Sequence, residues 1–231
     1  MQQSGIDNKI SILTNKNCSQ LDFPGIKIQV FGALKSATAD FYNPNQVHET
    51  TIVEVSSVSD PRTKADASYT YKRHTPIAVR TADCLPILLF TRDTENPVMA
   101  IHAGWRGFAK GILSKSIDMF ADKLLKNTDI YAFIGPAISS QAFEVGPEVI
   151  EATTKYAKKL NVDFSNFTLE GHGDRLHFDL QLAACQVMTN LGIKPLHISV
   201  LRECTFDNIH WHSYRREKKL TGHNFTVIEK I

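Results

Sequence analysis

The stretch 97–107, PVMAIHAGWRG, sets four apolar residues, Val98, Met99, Ala100 and Ile101, directly before a histidine, then places a tryptophan and an arginine between two glycines. The apolar run reads as a buried strand, and a helical pattern follows at once. In residues 108–127, FAKGILSKSIDMFADKLLKN, the positions Leu113, Ile117, Phe120 and Leu124 recur at steps of four, three and four. A strand that passes through a turn straight into a helix is a unit of mixed α and β architecture. That this strand ends on an imidazole, His102, is a chemical question.

Outward from this unit the same alternation continues. Short runs rich in Val, Ile and Phe predict strands at IKIQVFG (26–32), TTIVEV (50–55), PIAVR (76–80), LPILLF (85–90), IYAFIG (130–135), LHISVL (196–201) and FTVIE (225–229). A second helix is expected over 146–160, with Pro147 in the first turn, Glu148 and Glu151 near its start and Lys158 and Lys159 near its end, as the helix dipole favours. A third is expected over 179–192, with Asp179 as N-cap, Leu180, Ala184, Val187 and Leu191 on one face, and Gly192 as left-handed cap. No repeat, low-complexity tract or linker divides the chain, so residues 1–231 are expected to form a single domain of the mixed α/β (α+β) class.

Composition narrows the function. With 231 residues, 42% of them apolar and 22% charged, the chain can bury a core, and its formal net charge is only +2. Lys and Arg are scattered rather than striped, so neither nucleic acid nor a membrane is the expected partner; a small molecule is. The opening MQQSGIDNKISILTNKN has no basic and apolar leader pattern, and no run approaches the ~20 apolar residues of a membrane span, so the expected location is cytoplasmic. Cys18, Cys84, Cys185 and Cys204 lie far apart without a C-x-x-C pair, which suggests neither a disulfide framework nor a zinc knuckle. Cys185 reads as a small core residue and Cys18 as inert.

His102 has company. Asp83 and Cys84 interrupt RTADCLPILLF just before its apolar run, and NPNQVHET sets His48 just before TTIVEV. Three sheet elements thus carry a donor at one end. Two imidazoles and a thiolate form a borderline-soft set that suits Zn²⁺ and leaves a fourth position for water or substrate. The alternative is three unconnected core residues, because ligands 36 and 18 positions apart follow no local rule. Gly104 and Gly107 allow a tight turn or a close approach to a ligand, Trp105 is either a core plug or a stacking surface, and Asp83 either orients a ligand or caps a turn.

The segments QVHET, KADASYT, TADCLPILLF, AIHAGWRGFAKG, IGPAISSQAFEVGPEV, HFDLQLAACQ and HSYRREKKLTGH resemble, in order and context, the YfiH family, once called multicopper polyphenol oxidases or laccase domain proteins. The resemblance runs from about residue 40 to the C-terminus. It implies a zinc site made by His48, Cys84 and His102, the same three residues, and an α/β sandwich with flanking helices shared with cysteine-histidine hydrolases. It implies phosphorolysis of adenosine, inosine, guanosine and methylthioadenosine and deamination of adenosine, so that nucleoside and phosphate are the partners. Arg106, Arg215 and Arg216 become the candidate phosphate donors, the last two through the family's S-Y-R-R. Some members are instead described as peptidoglycan editing factors.

The chain departs from the family pattern in a shorter N-terminal arm at about 1–40, in Glu49 after Q-V-H where glycine is usual, in His223 in place of the arginine of T-G-R, and in HWH before S-Y-R-R. His210 and His212 would share a face of a strand and could bind copper, but true multicopper oxidases use several H-x-H pairs. Other readings are a metal-independent hydrolase with Cys84 as nucleophile and His102 as base, and a non-catalytic zinc-binding interaction protein.

Overall fold

Leu88 and Phe90 face one side of the strand Leu85–Phe90, Ile87 and Leu89 face the other, and all six residues of the strand are buried. Covered on both faces, this strand must lie in the middle layer, which is why it reads as an unbroken apolar run. The computed structural model describes residues 12–15, 18–32, 40–124, 128–219 and 221–231. Half of the N-terminal arm, residues 1–11, 16–17 and 33–39, lies outside the described residues.

In chain order the strands are β1 (Ile12–Asn15), β2 (Cys18–Phe23), β3 (Ile26–Phe31), β4 (Ile52–Glu54), β5 (Ala67–Thr70), β6 (Ile77–Thr81), β7 (Leu85–Phe90) and β8 (Val98–Ala103). Helices α1 (Trp105–Lys110) and α2 (Ile112–Asp122) come next, then β9 (Tyr131–Ile134), β10 (Glu144–Val145), α3 (Pro147–Lys159), β11 (Thr168–Glu170), β12 (Leu176–Phe178) and α4 (Leu180–Asn190). The chain closes with β13 (Ile198–Val200), α5 (Tyr214–Glu217) and β14 (Asn224–Lys230).

A six-stranded sheet of order β13-β9-β7-β8-β5-β4 faces a five-stranded antiparallel sheet of order β1-β2-β3-β14-β6, and β10-β12-β11 form a small third sheet. Between the two large sheets Ile28, Val30, Ile77, Val79 and Ile228 pack against Leu88, Phe90, Val98 and Ala100. On the far side of the six-stranded sheet Ile87, Leu89, Met99 and Ile101 meet Phe108, Leu113, Ile117 and Phe120, with Ala183, Ala184 and Val187 of α4. The fold is a mixed α+β sandwich with helices on its outer face. Truncating a side chain in this middle layer, as in Leu88→Ala, costs about 2–5 kcal/mol.

Two expectations are corrected. The helix expected over 108–127 is two helices, because Gly111 takes φ +91°, closes α1 with its N–H and stands as the N-cap of α2. The apolar spacing runs through the break because both pieces pack on the same sheet; residues 125–127 lie outside the described residues. The HWH segment is not a strand: residues 208–211 form a turn closed by Trp211 N–H donating to the Asn208 carbonyl at 3.1 Å. The α4 expectations match the structure, with Asp179 accepting from Leu182 N–H and Gly192 at φ +93°. Pro147 opens α3 and Lys158 and Lys159 close it.

Candidate metal centre

His102 has the same strand parity as Val98 and Ala100, so it faces the space between the sheets at the end of β8, opposite Pro86. Cys84 precedes β7 and lies beside Gly104, the next position along that strand pair. His48 comes from the loop before β4. The three donor atoms lie within 4.8 Å of one another, with Cys84 Sγ 3.8 Å from His48 Nε2. The two imidazole rings meet edge to face at 4.8 Å and 79°. Among the described residues this is the one such group of His, Cys, Asp or Glu.

Asp66, which the sequence reading passed over, organises the centre. Its carboxylate is fully buried and accepts from His102 Nδ1 at 2.8 Å and from the main-chain N–H groups of His48, Glu49 and Val47 at 2.9, 2.8 and 3.2 Å. Burial pushes its pKa up, but the His102 bond and the loop N–H groups outweigh burial and hold it below the ordinary value. An ionised carboxylate only accepts, so a His102 proton sits on Nδ1, and Nε2 is the position where a metal would take the place of the second proton. The same anion holds His48 at φ +60°, a strained value for a non-glycine residue. Gln46 fixes the start of this loop, giving and receiving amide bonds with the main chain of Arg80 at 2.7 and 2.9 Å. The only sequence signal for Asp66 was its place in KADASYT.

The residues fit a zinc ion. Burial raises the Cys84 thiol, yet the facing imidazoles of His102 and His48 bring it down to about 6, while His102, against the effect of burial, is raised to about 9 by the Cys84 thiolate and Asp66. A thiolate is thus the form that a metal would meet there at neutral pH. Ordinary Zn–S and Zn–N bonds at a tetrahedral angle put S and N about 3.6 Å apart, close to the 3.8 Å separation of Cys84 and His48. Gly104 makes the room: a Cβ there would fall 2.7 Å from His48 Cδ2 and 2.8 Å from Cys84 Sγ. Its φ of −68° suits any residue, so the glycine answers to space and not to conformation.

Asp83, at φ +91°, accepts from Thr205 Oγ1 at 2.6 Å and Arg215 N–H at 2.7 Å, which pins the 205–217 segment beside Cys84. The Arg216 guanidinium donates to the carbonyls of Thr205, Phe206 and Trp211 and to Glu217, and that of Arg215 to the carbonyls of Ala142 and Glu144. Both side chains therefore brace main chain, Arg216 with three of its N–H donors and Arg215 with two. Arg106 is exposed on α1 with its guanidinium 4.4 Å over the Trp105 ring, and Trp105 is half-buried against the helix-side core. Glu49 pairs with Lys110. The His212 ring packs on Gly222, and neither His210 nor His212 joins a donor group among the described residues. Cys185 packs on the core, and its thiol is pushed up to about 11 by burial. Cys18 opens β2, and its side chain lies outside the description.

The family model for multi-copper polyphenol oxidoreductase laccase matches residues 28–230, and the chain belongs to that family. A purine nucleoside phosphorylase YfiH of Shigella flexneri is 38% identical over 174 residues, 75% of this chain and 67% of the relative. A purine nucleoside phosphorylase of Haemophilus influenzae is 34% identical over 223 residues, 96% of this chain and 82% of the relative. The crystal structure of a Neisseria meningitidis protein of family DUF152 superposes with a TM-score of 0.76 at 26% identity, covering 93% of this chain and 99% of that one. The resemblance drawn from the motifs thus names the right family. Among the described residues no helix is long and apolar enough to cross a membrane.

Proposed function

We propose that the chain is a zinc-dependent purine nucleoside phosphorylase that also deaminates adenosine. The observation that carries this reading is the set of three donors within 4.8 Å, with Asp66 holding the proton on the far nitrogen of His102. His48, Cys84 and His102 would hold the ion, and the names of the relatives supply the substrate class. Zinc with an open position supplies an activated water and a Lewis acid.

The remaining work falls to the chain's own groups. Asp66 fixes both imidazole ligands, one through its ring and one through its loop, so neither turns as charge changes during the reaction. Gly104 keeps the approach to Cys84 and His48 clear of side-chain atoms. Deamination then needs only a purine held at the open position. Phosphorolysis needs in addition an anion placed beside the sugar's anomeric carbon, to which the bond to the base is exchanged for a bond to phosphate oxygen.

One observation favours a second reading. Cys84, with its thiol brought down to about 6, faces His102, which in turn is held by Asp66, the order of groups in a cysteine nucleophile with its base and orienting carboxylate. A panel of adenosine, inosine, guanosine and methylthioadenosine, each with and without phosphate, separates the two. The account expects free base and sugar phosphate only when phosphate is present, inosine from adenosine without it, and loss of both when the metal is chelated. Full turnover by the chelated protein would favour the nucleophile instead.

A further inference from the structure

We propose that Arg80, His212 and His223 form an oxyanion subsite at the end of the β6–β14 strand pair that leads to the metal centre, with inorganic phosphate as its ligand. The proposal rests on the phosphorolysis reading and names the groups that would hold its anion.

The first observation is register. Strands β6 and β14 pair Thr81 with Asn224 and Arg80 with Phe225. His223, two positions before Phe225, therefore lies on the same sheet face as Arg80 and diagonal to it, a spacing that a long side chain spans. The His223 ring is 6.4 Å from that of Phe225 on this face. His212 is brought to the same end of β14 by Asn224, whose side chain accepts from His212 N–H at 2.8 Å and donates to its carbonyl at 2.9 Å. Its Nδ1 lies 3.4 Å from Thr221 Oγ1, and its ring packs so closely on Gly222 that a Cβ there would come within 2.3 Å. Burial, Arg80, His212 and His102 all lower the pKa of His223, in that order, as expected where cationic groups crowd together.

The second observation is that no carboxylate among the described residues pairs with this group. Among the described residues the half-buried Arg80 guanidinium has no hydrogen-bond or ion-pair partner, although its main chain is held on both sides by Gln46. The nearby carboxylates are committed: Asp66 to His102 and the loop N–H groups, Asp83 to Thr205 and Arg215, Glu217 to Arg216. A guanidinium offers a two-pronged donor that matches a tetrahedral oxyanion, and imidazoles add single N–H donors.

The third is position. Arg80 leads through Thr81, Ala82 and Asp83 to Cys84, and Gln46, which grips Arg80, is two residues before His48. The subsite is thus tied by short chain segments to two of the three metal donors. Arg216, by contrast, spends three of its five N–H donors on carbonyls and one on Glu217, and Arg215 spends two on carbonyls.

The test is titration of the metal-loaded protein with inorganic phosphate in a calorimeter, at constant ionic strength, with metal content measured on each sample. Arg80→Met and His223→Phe should each raise the dissociation constant about ten-fold or more, the loss expected for a charge-assisted bond, while metal content holds. Arg80→Lys, which keeps charge but not the fork, and His223→Gln, which keeps a donor, should fall in between and guard against misfolding of the harsher variants. Unchanged phosphate affinity in Arg80→Met and His223→Phe overturns the subsite, even if nucleosides are still phosphorolysed. Phosphate binding that depends on Arg80 in a protein that cleaves no nucleoside upholds the subsite and defeats the phosphorylase reading alone.

Discussion

Asp66 and His102 are joined twice: the carboxylate Oδ1 accepts from the ring Nδ1 at 2.8 Å, and the Asp66 carbonyl accepts from His102 N–H at 2.7 Å. The second bond continues the β5–β8 ladder, in which Ala67 pairs with Ile101. A sheet ladder therefore sets the direction of a candidate ligand ring, and a buried anion sets its tautomer. Because the same carboxylate gathers the N–H groups of residues 47–49, one side chain positions two of the three donors.

The first prediction concerns that side chain. Asp66→Asn keeps the shape but loses the charge, and one of its two groups becomes a donor facing donors. Metal affinity, measured by competition with a chromogenic chelator, should fall about 10- to 100-fold while the far-ultraviolet circular dichroism stays that of the parent. Parental affinity in the variant would show that Asp66 serves the fold alone.

Gly104→Ala should be worse than its chemistry suggests. The added methyl would lie 2.7 Å from His48 Cδ2 and 2.8 Å from Cys84 Sγ, and neither side chain can retreat without leaving the donor cluster. Metal retained after dialysis should drop well below that of the parent, and overpacking should cost about 1–3 kcal/mol of stability. A variant that keeps its full complement of metal would contradict the crowding argument.

The cysteines should separate by pH. In metal-free protein Cys84, with its thiol near 6, is largely thiolate at pH 7, whereas Cys185, pushed up to about 11, is thiol. Iodoacetamide followed by peptide mapping should label Cys84 readily and Cys185 barely. Because the thiolate is the reactive form, Cys84 labelling should fade as pH drops through about 6 and hold steady above it. Added zinc should block it. Labelling of Cys84 that rises only above pH 8 would mean the imidazoles do not stabilise its thiolate.

What the sequence disclosed follows from range. His48, Cys84 and His102 were each legible as a polar interruption beside an apolar run, which is a local signal, but no local rule joins positions 36 and 18 apart, and only the family resemblance made them a set. The packing faces of α2 and α4 were legible because their signal is local too. Asp66 was not, since its role depends on a loop 17 to 19 residues away and a ring 36 residues away, and a lone acid in KADASYT carries no pattern. The break at Gly111 was hidden because apolar spacing continued across it. Arg215 and Arg216 looked free because the carbonyls they brace, from Ala142 to Trp211, meet them only in the folded chain. Strand β5 and the small β10-β12-β11 sheet went unmarked, being short and only weakly apolar.

The central claim is that His48, Cys84 and His102 share one zinc ion. X-ray absorption at the zinc edge, on protein loaded with one equivalent of metal, reads the donor set directly. The account predicts one sulfur scatterer at about 2.3 Å and imidazole nitrogens at about 2.0–2.1 Å, with the sulfur shell lost in Cys84→Ala. A spectrum without sulfur in the parent, or one unchanged by Cys84→Ala, would contradict it.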